Sequence, residues 1–291
     1  AGIGLGGIAF GLSVAGLNLL PWTVVIGLIG IGSVSMTLYV IHARRTASPV
    51  LDLTLLRLPT FRASIYGGFL FRLGIGALPF LLPLLMQVGF GLSPFSSGLV
   101  TFSSAVGAMG MKTLAARIIR TFGFRNIMII NAVVSSVFLA ACALFTITTP
   151  LLLIMIILVV GGFFRSLQFT AINTLAYADV EPEQMSRATT MASVNQQLAI
   201  SAGIAVGAFS VESAMLYHHN TELTASDFRP GFIVVSILAA MSTYYFFRMP
   251  VDAGHQVSGR RMVVISDPTR ESEAEEEAAR ETATARDQRL S

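Results

Sequence analysis

A single cysteine, Cys142, stands in this chain of 291 residues, so no intrachain disulfide can form and no paired-thiolate metal site is possible. It lies inside an apolar run, where the ordinary role is that of a small buried hydrophobe. Charge is scarce as well: 12% of the residues are charged and 54% are hydrophobic, with a mean hydropathy of +0.72. Such a chain cannot hide its apolar surface inside one water-soluble globule, and it reads as an all-α polytopic membrane protein in contact with a lipid bilayer. No HExxH, no nucleophile-elbow GxSxG, no phosphate loop and no metal-spaced Cys and His set occurs, so neither an enzyme nor a resident metal or organic cofactor is expected. His42, His218, His219 and His255 fall at span ends or in loops, where a solvated surface role is expected. The acid missing from the apolar runs is more telling. Glu212 falls near the end of one run and Asp227 outside another, and none sits near mid-depth. Proton coupling normally needs a titratable carboxylate or histidine within the pathway. This segment holds none there.

What is present is length and apolarity. Eight apolar runs, roughly 1–19, 22–42, 63–88, 95–116, 125–146, 150–176, 188–216 and 230–249, are within or near the length a spanning helix needs. Gly2, Gly4 and Gly7 formally fit a dinucleotide fingerprint, but they follow no strand, and close helix packing explains them better. The net charge of +3 comes from cations gathered in alternate connections: Arg44, Arg45, Arg57 and Arg62; then Lys112, Arg117, Arg120 and Arg125; then Arg187; then Arg248, Arg260 and Arg261. This pattern sets orientation and does not suggest a nucleic-acid partner, and it places both chain ends on the cytoplasmic side. Ala1 already lies in an apolar run with no initiator Met or signal peptide before it, so the sequence is expected to be the C-terminal part of a longer protein. The linker at 43–62 carries leucines and basic residues suited to the membrane surface, Ser93 and Pro94 suit a helix start, and the acidic stretch within 250–291 reads as a disordered tail.

Two cations break the apolar pattern. Arg72 lies roughly 15 Å beyond Arg62 along a helix, about half of the hydrocarbon thickness, with Pro79 and Pro83 following to kink the same span. A guanidinium stays charged there, so it faces a cavity, water or a ligand, or it is bonded to a neighbouring helix's carbonyls. Arg165, with Gln168 one turn away, repeats the pattern in the sixth run, where the alternative is an arginine snorkelling to the interface. Ser97, Thr101, Ser104 and Ala108 form a small polar stripe that suits either a cavity or packing. In the seventh run Asn195, Gln196 and Gln197 adjoin the close-packing ladder Ala199, Gly203 and Gly207.

The order of runs, the loop SPVLDLTLLRLPTF, the stretch from Arg72 to Pro83 and the loop KTLAARIIRTFGFRN resemble the fourteen-span drug:proton antiporters of the major facilitator superfamily. The resemblance covers roughly residues 1–249. It implies a central helix pair at 1–42, a cytoplasmic interfacial linker at 43–62 and a six-helix C-terminal half at 63–249, with a six-helix N-terminal half missing. Gly110, Arg120, Gly123 and Arg125 resemble a second copy of the superfamily's cytoplasmic gating loop, with Ala115 and Ala116 near the position of its acidic member. The implied activity is export of small, amphipathic organic compounds by proton antiport and alternating access in the bacterial inner membrane, the proton being carried mainly by the missing half. The substrate cavity would be lined by Phe69, Arg72, Phe80, Gln87, Thr101, Ser104, Arg165, Gln168, Asn195 and Gln196. Met86 would help to pack apolar substrate, and Arg72 would attract anionic groups or pair with a carboxylate of the other half. The competing reading is a non-transporting membrane assembly or regulatory protein in which the arginines only hold helices together.

Overall fold

The computed structural model describes residues 21–43, 52–218 and 222–250, together with Gly7, Gly11 and Ala253. Among them there is no strand. The long helices are α1 (Trp22–Ala43), α2 (Pro59–Gly76), α3 (Leu78–Leu84), α4 (Pro94–Phe122), α5 (Phe124–Ala141), α6 (Leu151–Ala176), α7 (Met185–Tyr217) and α8 (Phe228–Phe247). Helices α2 and α3 and the π turn Leu85–Gly89 make one broken span, so six segments among the described residues are long and apolar enough to cross a membrane: Pro59–Gly89, Pro94–Phe122, Phe124–Leu144, Leu151–Ala176, Pro182–Tyr217 and Ala225–Phe247. These correspond to the last six of the eight expected runs. Within α1 a shorter apolar helix covers Thr23–Ser35. The first run lies outside the described residues except for Gly7 and Gly11, whose backbones approach Leu28, Ile29 and Gly32. Of the expected tail at 250–291, only Pro250 and Ala253 are described.

Local chemistry explains the helix ends. Ser93 caps α4, its Oγ accepting from Ser96 N at 3.2 Å, and Pro94 occupies the first helical turn, where a missing N–H costs nothing. Gly123, at φ +79°, ends α4 and starts α5 in a single residue, a conformation that disfavours a side chain. Helix α8 is entered through Ala225–Asp227, where Asp227 Oδ2 accepts from Thr224 N at 2.8 Å. The same Asp227 bonds His218 Nδ1 at 2.6 Å, so His218 is paired and not merely solvated at its helix end.

The bundle is built from close helix pairs. Helix α4 lies along α6, α2 along α7 and α8, and α5 between α6 and α8. Small residues set these distances: a methyl added at Gly162 would overlap the Ser104 carbonyl oxygen, and one at Gly203 would overlap the Leu73 carbonyl oxygen. The main core includes Phe71, Leu81, Met111, Met128, Ile172, Phe228 and Phe246. Phe95, Leu99, Phe102, Val106 and Met109 recur every three or four residues on the exposed side of α4, an apolar stripe of the kind that faces lipid or another helix bundle.

The described part of the linker packs onto the neighbouring helix ends. Residues Leu53–Arg57 make a 3-10 turn that buries Leu55 in a second cluster with Phe61, Ile65, Val180 and Ala188, and α2 begins at Pro59, several residues before the expected start at 63. Asp52 joins this turn to the base of α7, its Oδ2 lying 3.2 Å from Arg187 Nη1.

Candidate functional site

Two prolines open the first long span. Pro79 and Pro83 lack the N–H groups that would bond the carbonyls of Ile75 and Pro79, and the helix breaks at Ala77, resumes over Leu78–Leu84 and widens into the π turn. Beside this break lies a chamber of about 340 Å³, bordered by Pro79, Pro83, Thr101, Ser104, Leu158 and Arg165, among others. An adjoining recess of about 20 Å³ shares Ile75, Leu78, Leu158 and Arg165 with it and adds Ser135 and Cys142. The recess has room for one water-sized group.

Arg165 is the charge on this chamber. Its Nη2 donates to Ser104 Oγ at 2.9 Å, across the close α4–α6 contact, so Gly162 one turn earlier permits the approach and Arg165 exploits it. Thr101, Ser104 and Arg165, three of the residues expected to line a cavity, thus border one chamber. The chamber is otherwise mostly apolar, and among the described residues no acidic side chain borders it or the recess.

Arg72 sits elsewhere and is 3% exposed. Its Nη2 donates to Asn173 Oδ1 at 2.6 Å and its guanidinium carbon lies 5.1 Å from the centre of the Phe169 ring, both partners belonging to α6. Its Nε has no hydrogen-bond partner among the described residues. This arginine fastens α2 to α6 through a side-chain amide and an aromatic face.

The other expected lining residues scatter. Gln168 is fully buried and does not share Arg165's surroundings: its Nε2 donates to the Met128 carbonyl at 3.1 Å, and its Oε1 accepts from Asn131 Nδ2 at 3.0 Å. Asn195 Nδ2 donates to the Ile65 carbonyl at 3.0 Å, tying α7 to α2. Gln87 lies 3.4 Å from Ser97 Oγ near the π turn. Phe69 and Gln196 are half-buried away from the chamber, Phe80 packs against the core, and Met86 is fully buried in it. In the loop expected to gate, Gly123 makes the turn and Arg125 Nη2 donates to the Phe247 carbonyl at 3.0 Å, while Gly110 and Arg120 are exposed.

Asn131, Ser135, Phe169 and Asn173 have site roles that sequence reasoning did not assign. Asn131 is 3% exposed and also donates to the Phe164 carbonyl at 2.7 Å, making it the hub of the α5–α6 contact. An asparagine well inside the fifth run, one turn before Ser135, was the available signal. No cluster of His, Cys, Asp or Glu suited to a metal is found among the described residues.

Comparison with known proteins is consistent with this architecture. The family profile described as Major Facilitator Superfamily matches residues 1–204 and 64–283. Curated relatives from Salmonella heidelberg (strain SL476) and Salmonella paratyphi A (strain ATCC 9150 / SARB42), both provisionally named multidrug resistance protein MdtD, are each 29% identical over 242 residues. Those alignments cover 81% of this chain and 50% of each relative, so the chain spans about half the length of the curated relatives it matches.

Proposed function

We propose, from the premise that this chain belongs to the major facilitator superfamily, that it forms half of a secondary transporter exporting small organic compounds in exchange for protons. The observation that carries this reading is the chamber at the broken helix. A mostly apolar space of about 340 Å³ with one charge and two hydroxyls on its wall has the size and lining of a small-molecule site. A span broken beside a binding space is a common transporter device, since irregular backbone is tolerated at membrane depth only where protein or a cavity covers it. In this reading the central pair, 1–42, precedes an interfacial linker and a six-helix half at 63–249. The opposite chamber wall comes from a second six-helix half, which also carries the proton because no Asp or Glu lies at mid-depth among the described spans. The two halves rock about the chamber to give alternating access, in the bacterial inner membrane with the C-terminus cytoplasmic. The relatives' multidrug names favour a broad range of amphipathic substrates.

The test is movement of compound against a pH gradient. In everted membrane vesicles expressing the product of the natural gene, adding a transported compound should dissipate an imposed gradient, and collapsing the gradient with nigericin should stop its uptake. Uptake indifferent to nigericin, or none for any amphipathic probe, would overturn the antiport reading.

A further inference from the structure

We propose that the Arg165 chamber is selective for anions: its ligands carry a carboxylate or comparable oxyanion that pairs with Arg165, and an aromatic or aliphatic body fills the space beside Pro79, Pro83 and Leu158. This rests on the reading of the chamber as a substrate site and names the chemistry of that substrate.

Two independent features carry it. The first is an uncompensated charge. A guanidinium offers five N–H donors in a planar fork, and the partner that Arg165 has here, Ser104 Oγ, is a neutral hydroxyl that engages one of them. Among the described residues no acidic side chain borders the chamber or the recess to balance the charge. A cation whose partner is a neutral hydroxyl keeps its charge unbalanced on the wall of a mostly apolar chamber, and a bidentate oxyanion supplies both the opposite charge and the matching geometry. The second is an unused hydroxyl. Ser135 is 7% exposed, it borders the recess next to Arg165, and its Oγ has no hydrogen-bond partner among the described residues. A buried hydroxyl left unmatched is costly, and the recess of about 20 Å³ accommodates one oxygen. Arg165 from α6 and Ser135 from α5 thus border the same small recess beside the mostly apolar chamber, a head-and-body arrangement. Arg72 borders neither of these two cavities; its guanidinium meets an amide and an aromatic face, with its Nε unpartnered among the described residues.

The experiment compares three probes with the same naphthalene body: 2-naphthoate, 2-naphthylmethanol and 2-naphthylmethylammonium. Binding is measured to the product of the natural gene in zwitterionic nanodiscs. A charge-assisted hydrogen bond predicts that the carboxylate binds roughly tenfold or more tightly than the alcohol, with the ammonium weakest. Arg165→Gln should erase that advantage, Arg165→Lys should retain part of it, and Ser135→Ala should weaken the carboxylate a few-fold and the alcohol less. Equal binding of the three probes, or a carboxylate advantage that survives Arg165→Gln, would overturn the inference and leave the transporter reading standing. Should Arg165→Gln fail to fold, an unchanged carboxylate affinity in Ser135→Ala overturns it equally. Binding of none of the probes would overturn the chamber as a substrate site and this inference with it.

Discussion

Arg72 and Arg165 come from similar surroundings in the sequence, each a single cation inside an apolar run, and the fold gives them opposite circumstances. Arg72 is enclosed, its guanidinium bonded to Asn173 and laid against Phe169, and it serves the contact between α2 and α6. Arg165 is only partly covered and shares its surroundings with a chamber, its one neutral partner reached across a glycine-lined contact. An intramembrane charge is thus not by itself a ligand site. What separates the two is open space: Arg72 is enclosed even though its Nε lacks a partner among the described residues, whereas Arg165 borders the chamber. Helix α6 supplies Asn173 and Phe169 to Arg72, whereas α4 supplies only Ser104 to Arg165, and the broken helix leaves space where another partner would stand.

The most severe way to break this contrast is to part α4 from α6. Replacing Gly162 by Leu drives a side chain into the Ser104 carbonyl, so the two helices must separate and Arg165 loses its partner. Overpacking of a close contact predicts a loss of about 3 kcal/mol, read as a lower melting temperature in detergent and a smaller folded fraction on size exclusion. A milder pair of substitutions sharpens the contrast. Asn173→Ala leaves a buried guanidinium without its amide, an expected cost of about 2 kcal/mol with no change in probe affinity. Ser104→Ala should cost about 0.5 to 1 kcal/mol, because Arg165 turns to water in the chamber. If thermal shifts show the two variants equally destabilised, the distinction between an enclosed and a chamber arginine is wrong.

Much of this arrangement was legible beforehand. Apolar length located six spans to within a few residues because a bilayer-scale run has little alternative, and Ser93, Pro94 and the proline pair marked their breaks correctly. That Arg72 would be turned into the bundle also followed from charge alone. The separate circumstances of Arg72 and Arg165 did not, because Asn173 lies 101 positions beyond Arg72 and Ser104 lies 61 positions before Arg165. No local period links such pairs. Gln168 shows the same limit: three residues after Arg165 it lies on a neighbouring strip of α6, but α6 sits between α4 and α5, and that small turn aims the amide at Asn131 and not at the chamber. Polar groups on one helix face were read as one site, whereas three-helix packing divided them between two contacts.

A third arginine completes the comparison and has the smallest expected effect. Arg187 has the carboxylate partner that neither of the others has among the described residues, Asp52, but its side chain is 36% exposed, so water and salt compete with the pair. Asp52 is held below the ordinary carboxylate range, first by the hydroxyl of Thr54, whose Oγ1 donates to Oδ1 at 2.5 Å, then by the Thr54 N–H and by Arg187, with burial opposing them. A carboxyl whose folded value is depressed stabilises the fold above its unfolded value of about 3.9, and that contribution is lost as pH falls through the lower folded value. The 3-10 turn at Leu53–Arg57 should therefore stay docked at neutral pH and loosen only in strongly acidic solution. Asp52→Asn should remove this pH dependence at a cost of about 1 kcal/mol, and Arg187→Ala should preserve it and cost about 0.5 kcal/mol. Hydrogen exchange of the Thr54 and Leu55 amides reads the outcome directly. A linker that loosens equally in both variants at neutral pH would mean that Arg187, and not Thr54, is what holds Asp52 in place.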